Sequence, residues 1–180
     1  MLEISDVERI IAVDPGANGG IAIYRLGASA RTYKIPKDVK ELNELINRNS
    51  QNGVVVCERL NVRPDDITPT ANGNKFGKIL RVQKLMANYE MLKTIFRISK
   101  LPICYVSPVT WQARLGLKAL PHETKQQRKS RYKEFAGRLY PYIKTTLWNA
   151  DALLILHWAR IMIAQEPTTV KNIIIRNQKK

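Results

Sequence analysis

Hydrophobic residues recur along this chain with two different periods, and the switch between them marks out the elements. Arg9 to Val13 is a continuous Ile- and Val-rich run, the pattern of a strand buried on both faces. A glycine-rich turn follows over Pro15, Gly16, Ala17, Asn18, Gly19 and Gly20, and Ile21 to Leu26 reads as a second strand returning in a hairpin. Arg31 to Ile35 reads as a third strand, ended by Pro36. The period then changes. Val39, Leu42, Leu45 and Ile46 fall at helical spacing within 38–49. Gly53 to Cys57 is again a β-branched run, with Glu58 at its C-terminal end.

The stretch from Asn61 to Gly77 is polar and rich in Pro, Gly, Asn and Thr, so it reads as a long loop of the kind that tends to carry function. Lys75 to Lys100 is predicted as a long helix whose apolar face includes Ile79, Leu85, Tyr89, Leu92 and Phe96. Ile103 to Val106 is a further strand, and Pro108 opens a short helix through Trp111. A basic helix is predicted over 122–140 and an apolar one over 148–164, with a basic tail at Gln178, Lys179 and Lys180. A meander, then alternating helices and strands, then helices, predicts an α/β fold: a mixed five-stranded sheet flanked by helices. At 180 residues the chain is expected to form one domain over 1–180.

Composition narrows the setting. The chain carries 30 Lys and Arg against 15 Asp and Glu, a net charge of +15. Such an excess points to a polyanionic partner, nucleic acid foremost, although a solvated basic surface has the same signature. No apolar run approaches the ~20 residues of a membrane span, and the acidic N-terminal stretch does not read as a secretory signal. Cys57 and Cys104 each sit inside an apolar strand-like run, as buried reduced thiols do, so a cytoplasmic setting is expected.

Against this basic background, three acids abut apolar segments. Asp14 ends the first strand, Glu58 ends the fourth, and Asp151 precedes Ala152, Leu153, Leu154, Ile155 and Leu156. A carboxylate in such a place is costly unless partnered. Each has an ordinary explanation. Asp14 could cap the turn at Gly16, Glu58 could pair with Arg59 or Arg63, and Asp151 could be a first-turn helix acid. Taken together, acids from two strand ends and one helix suit a divalent cation, since Mg²⁺ takes oxygen ligands and leaves positions for water and phosphate.

The ordered motifs resemble those of RuvC-type Holliday junction resolvases. Asp14-Pro15-Gly16 followed by Gly19-Gly20-Ile21-Ala22 is similar to the family's first-strand motif, Val54-Val55-Val56-Cys57-Glu58 to its fourth strand, and Ala150-Asp151-Ala152-Leu153 to its C-terminal helix. Phe76-Gly77 and Val106-Ser107-Pro108-Val109-Thr110-Trp111 look like the phage and prophage branch. The resemblance implies an RNase H-like fold, a homodimer, and symmetric nicking of four-way DNA junctions with Mg²⁺ or Mn²⁺ held by Asp14, Glu58 and Asp151. Cleavage would leave 5′-phosphate and 3′-hydroxyl ends. The family's usual fourth acid or His is absent from Thr145-Thr146-Leu147-Trp148-Asn149, where Asn149 is the available neutral oxygen ligand. Gln112 stands where members often have a Lys, and Lys125 matches a second family lysine that would act on the scissile phosphate.

Two basic clusters flank the proposed site. Lys75, Lys78, Arg81 and Lys84 recur every three residues, which at ~3.6 residues per turn spreads them over a broad helix face. Lys125, Arg128 and Lys129 form the second, with Arg131 and Lys133 beyond. Phosphate contact is the expected role of both, with Phe76 either wedged against a base or packed under the helix. Trp111, Trp148, Trp158 and His157 read as core or interface residues. Flaps, branched replication intermediates and structured RNA are alternative substrates, and a junction-binding protein with a weakened site is a non-enzymatic alternative. Asp-x-Gly after a strand also occurs in actin-like sugar kinases, but 180 residues do not hold their two domains, so no small-molecule substrate is expected.

Overall fold

A computed structural model describes residues 6–61 and 75–178. β1 (Arg9–Val13), β2 (Gly20–Arg25) and β3 (Arg31–Lys34) form an antiparallel meander. The chain crosses through α1 (Val39–Asn47) into β4 (Gly53–Glu58), which lies parallel to β1. It crosses again through α2 (Lys75–Ile98) into β5 (Ile103–Val106), parallel to β4. The sheet order is β3-β2-β1-β4-β5, a mixed five-stranded sheet with β1 and β4 in its interior. That position accounts for their near-continuous apolar sequences, because helices cover both faces.

Strand alternation divides the core into two layers. Ile11, Val13, Val55 and Cys57 meet Leu42 and Ile46 of α1 and Leu92 and Phe96 of α2. Ile10, Ala12, Val54 and Val56 face the other way, onto α3 (Pro108–Arg114), α4 (Lys125–Leu139), α5 (Ala150–Gln165) and α6 (Pro167–Gln178). Helix α5 is buried along most of its length, which explains why its sequence is apolar all round rather than striped.

The predicted elements are present, with ends moved by a few residues for local reasons. The basic helix begins at Lys125 rather than 122: Thr124 and Gln127 form a reciprocal capping box, and His122 has left-handed backbone (φ 60°). The Pro108 helix runs on to Arg114, with Ser107 accepting from the Thr110 amide as its cap. α6 was not foreseen. Pro167 opens it, and Val170 and Ile174, four apart and both buried, dock it against β5. The predicted loop over 61–77 lies mostly outside the described residues, and its last three residues already belong to α2.

Candidate active site

Register and parity assemble the acids. β1 and β4 pair in parallel with Val13 opposite Cys57, so the next residue of each strand, Asp14 and Glu58, falls at the same end of the sheet. Both follow the alternation of Ala12 and Val56, which places them on the α5 face of the sheet. α5 enters that face with Asp151 in its first turn. Asp14 and Asp151 are buried, at 8% and 7% exposure, and few polar side chains are buried among the described residues.

The turn after β1 is shaped around Asp14. The Gly16 amide donates to Asp14 Oδ1 (3.0 Å), the Asp14 amide donates to the Gly20 carbonyl (3.0 Å), and the Gly19 amide donates to the Gly16 carbonyl (2.9 Å). A side chain at Gly19 would put its Cβ 2.0 Å from the Asp14 carbonyl oxygen, closer than any packing allows. At Gly20 the Cβ would press on the Trp148 ring at 2.9 Å. These glycines let the strand turn back while the carboxylate stays at the sheet end.

Glu58 is held differently. Trp111 is fully buried and its indole Nε1 donates to Glu58 Oε2 at 2.7 Å. Reading Trp111 as core was half the answer, since a buried indole N–H also needs an acceptor. That requirement was the available signal for this contact. Asp151 Oδ2 accepts a hydrogen bond from Lys129 Nζ, while Asp151 Oδ1 is buried with no hydrogen-bond partner.

The electrostatics are those of crowded acids. Burial, then the Asp151 charge, raises Asp14 to about 6 against the opposing pull of the Gly16 amide and Lys129. Burial, then the Asp14 charge, raises Glu58 to about 8, although the Trp111 N–H works the other way. Burial disfavours the Lys129 ammonium, yet Asp151, Asp14 and Glu58 outweigh it and keep the amine above its ordinary range. The charge of Asp151 disfavours ionisation of Asp14, and the charges of Asp14 and Asp151 disfavour that of Glu58, a pattern relieved by cations.

The donor chemistry fits a hard divalent ion: oxygen ligands, mutual repulsion, and an unpartnered buried oxygen on Asp151. As the side chains stand, no three His, Cys, Asp or Glu among the described residues surround one point closely enough to ligate it. The cation at Asp151 is the Lys129 ammonium.

The other expected residues sort by position. Asn149 is buried, and its Oδ1 already accepts from the Thr146 amide (2.7 Å) and hydroxyl (3.0 Å), while Nδ2 donates to Thr32 Oγ1 and the Lys144 carbonyl. It braces the entry to α5, so a ligand role would require these bonds to break. Lys125 is exposed at the start of α4, one turn before Lys129. Arg128 is half-buried beside it. Lys75, Phe76 and Lys78 begin α2, their side chains outside the described residues, and Arg81 and Lys84 stand exposed further along it. His157 packs edge-on against Tyr140, and burial together with Arg160 lowers its pKa.

No protein-family model matches the chain, and no curated sequence does. Among solved structures it is similar to Thermus thermophilus RuvC in complex with a Holliday junction substrate, at 13% identity and TM-score 0.50, with 88% of this chain and 96% of that chain covered. It is also similar to another Thermus thermophilus RuvC structure at 14% identity and TM-score 0.45, covering 87% and 95%. The fold is RuvC-like. At this identity the likeness is one of architecture, and it extends across nearly the whole of the RuvC chain. In the RuvC-like frame, the mixed sheet and its flanking helices are as the sequence predicted. No helix among the described residues is long and apolar enough to cross a membrane.

Proposed function

We propose that this chain is a structure-specific DNA endonuclease that resolves four-way junctions, working as a cytoplasmic homodimer of the phage-like branch. The observation that carries the reading is the convergence of Asp14, Glu58 and Asp151 on one face of the sheet, in a protein of net charge +15. The RuvC-like fold supports it, since the similar solved structure is of RuvC with a junction substrate.

Asp14, Glu58 and Asp151 would hold Mg²⁺ or Mn²⁺, which when bound supplies charge neutralisation for hydrolysis of a phosphodiester by water. The chain's own part is positioning. The Gly16 amide orients the Asp14 carboxylate, and the Trp111 N–H fixes one oxygen of Glu58. Lys125 and Arg128 of α4 would offer positive charge to the DNA backbone, and Arg81 and Lys84, exposed on α2, would add to it, with Lys75 and Lys78 proposed on sequence alone. The near-neutral pKa values of Asp14 and Glu58 mean that both carboxyls gain negative charge as pH rises through the neutral range.

The test is cleavage of labelled four-way junction, flap, duplex and RNA substrates with Mg²⁺, Mn²⁺ or EDTA. Paired symmetric nicks in the junction alone, lost in Asp14→Asn with binding retained, are the expected result. Tight junction binding without cleavage of any substrate would instead indicate a binding protein with a weakened site. The missing fourth acid and the ammonium seated on Asp151 are the observations that favour this second reading.

A further inference from the structure

We propose that Lys129 is a built-in counter-ion of the site: its ammonium holds Asp151 while the protein is metal-free and must be displaced when a divalent cation binds. The inference rests on the metal-site reading above and adds a residue that gates loading rather than one that ligates.

Helix geometry carries Lys129 to the acids. Lys129, Tyr132 and Ala136 are spaced by three and four, and the latter two are buried in the layer under α5. Lys129 therefore shares the inward face of α4, one turn before Tyr132. The helix itself is anchored at several points. Tyr132 Oη donates to the Leu117 carbonyl (2.9 Å), and Arg131 grips Glu123 through Nε (2.7 Å) and NH2 (2.9 Å). Arg131 NH2 also donates to the Lys118 carbonyl (2.9 Å). The capping box at Thr124 holds the start of the helix. Lys129 is thus delivered by a fixed backbone rather than by a flexible loop.

Its side chain is 34% exposed and that of Asp151 10%, so the ion pair lies at the boundary between core and solvent. Only Oδ2 of Asp151 is engaged, and Oδ1 is buried without a partner. An ammonium satisfies one oxygen and neutralises one charge, while the site holds three acids. A divalent ion does more on both counts, but it cannot occupy Asp151 beside a fixed positive charge without strong repulsion. Lysine suits this exchange because its long unbranched stem can swing the charge outward into water while the stem stays packed.

The test is Mn²⁺ binding followed by electron paramagnetic resonance at pH 7.5 without DNA, in wild type, Lys129→Met and Lys129→Gln. Both variants are expected to bind Mn²⁺ roughly tenfold more tightly than wild type, the scale of removing one nearby charge from a partly screened site. Lys129→Gln keeps an amide donor for Asp151, so it guards against a folding failure of Lys129→Met. A second measurement needs no variant: amine labelling of wild type read by mass spectrometry. Lys129 should label several-fold faster with saturating Mg²⁺ than in EDTA, while exposed Lys125 labels equally in both. Equal Mn²⁺ affinity in all three proteins, or Lys129 labelling indifferent to Mg²⁺, would overturn the inference and leave the metal site standing. Absence of Mn²⁺ binding in all three would overturn both.

Discussion

Replacing Asp14 by Asn should stabilise the metal-free protein at alkaline pH while destroying its response to metal. The buried carboxyl ionises at about 6 instead of 3.8, and each pH unit corresponds to about 1.4 kcal/mol. At pH 8 the fold therefore carries about 3 kcal/mol of unfavourable charge at this one site. Asn has nearly the same shape, removes the charge, and can still accept from the Gly16 amide through its side-chain oxygen. Its new NH₂ group must find partners, which costs about 1 kcal/mol. The net gain is about 2 kcal/mol, or roughly 4–8 °C in melting temperature for a domain of this size. The sign follows from linkage. The folded pKa is raised, so the native state binds more protons than the unfolded state between about 4 and 6, and wild-type stability falls as pH rises through that window. The variant's net advantage should thus be about 2 kcal/mol at pH 8 and about 0.6 kcal/mol at pH 5, and near pH 4 the variant should be slightly the less stable of the two. The assay is thermal melting by circular dichroism in EDTA at these three pH values, repeated with Mg²⁺. Magnesium at ten times its dissociation constant should stabilise wild type by about 1.4 kcal/mol and leave the variant unmoved. A variant less stable than wild type at pH 8, or a gain that does not vary with pH, would refute the electrostatic account of Asp14.

Glu58 predicts a second, higher window: with its pKa at about 8, the metal-free wild type should keep losing stability up to about pH 8, and Glu58→Gln should flatten that upper limb of a melting-temperature profile. Trp111→Phe removes the N–H that favours the ionised form of Glu58, so the carboxyl should titrate higher still. Carbon-detected NMR of the Glu58 carboxyl would show it, and junction cleavage should need a more alkaline pH. Gly19→Ala should abolish the ordered turn, because its Cβ has no room against the Asp14 carbonyl oxygen; a loss of several kcal/mol in urea unfolding is expected, with activity lost alongside. Junction binding should weaken steeply as salt is raised in a fluorescence-anisotropy titration, and Lys84→Ala should reduce that slope by about one counterion.

Local sequence was enough for the strands and most helices, and it singled out three acids set against apolar segments. β1 and β4 announce their buried position through unbroken β-branched runs, and Asp14 and Glu58 stand out because a carboxylate directly after such a run is costly. The glycines at 16, 19 and 20 mark a tight turn, and at Gly19 no Cβ fits against the Asp14 carbonyl. α6 was harder to see, because its short apolar stretch sits among polar residues and only docking against β5 gives Val170 and Ile174 something to bury. What each side chain does at the site was decided by tertiary structure, since it depends on which partners arrive from distant segments. The Val13–Cys57 register sets Asp14 beside Glu58, and Trp111 reaches Glu58 across 53 residues of chain. Asn149 spends its amide on Thr146, Thr32 and Lys144. Lys125 and Lys129 are both lysines near the start of one basic helix, indistinguishable by composition. The packing of α4 beside α5 puts Lys129 on Asp151 and leaves Lys125 in solvent, because one helical turn carries the chain from the exposed start of α4 to its contact with α5.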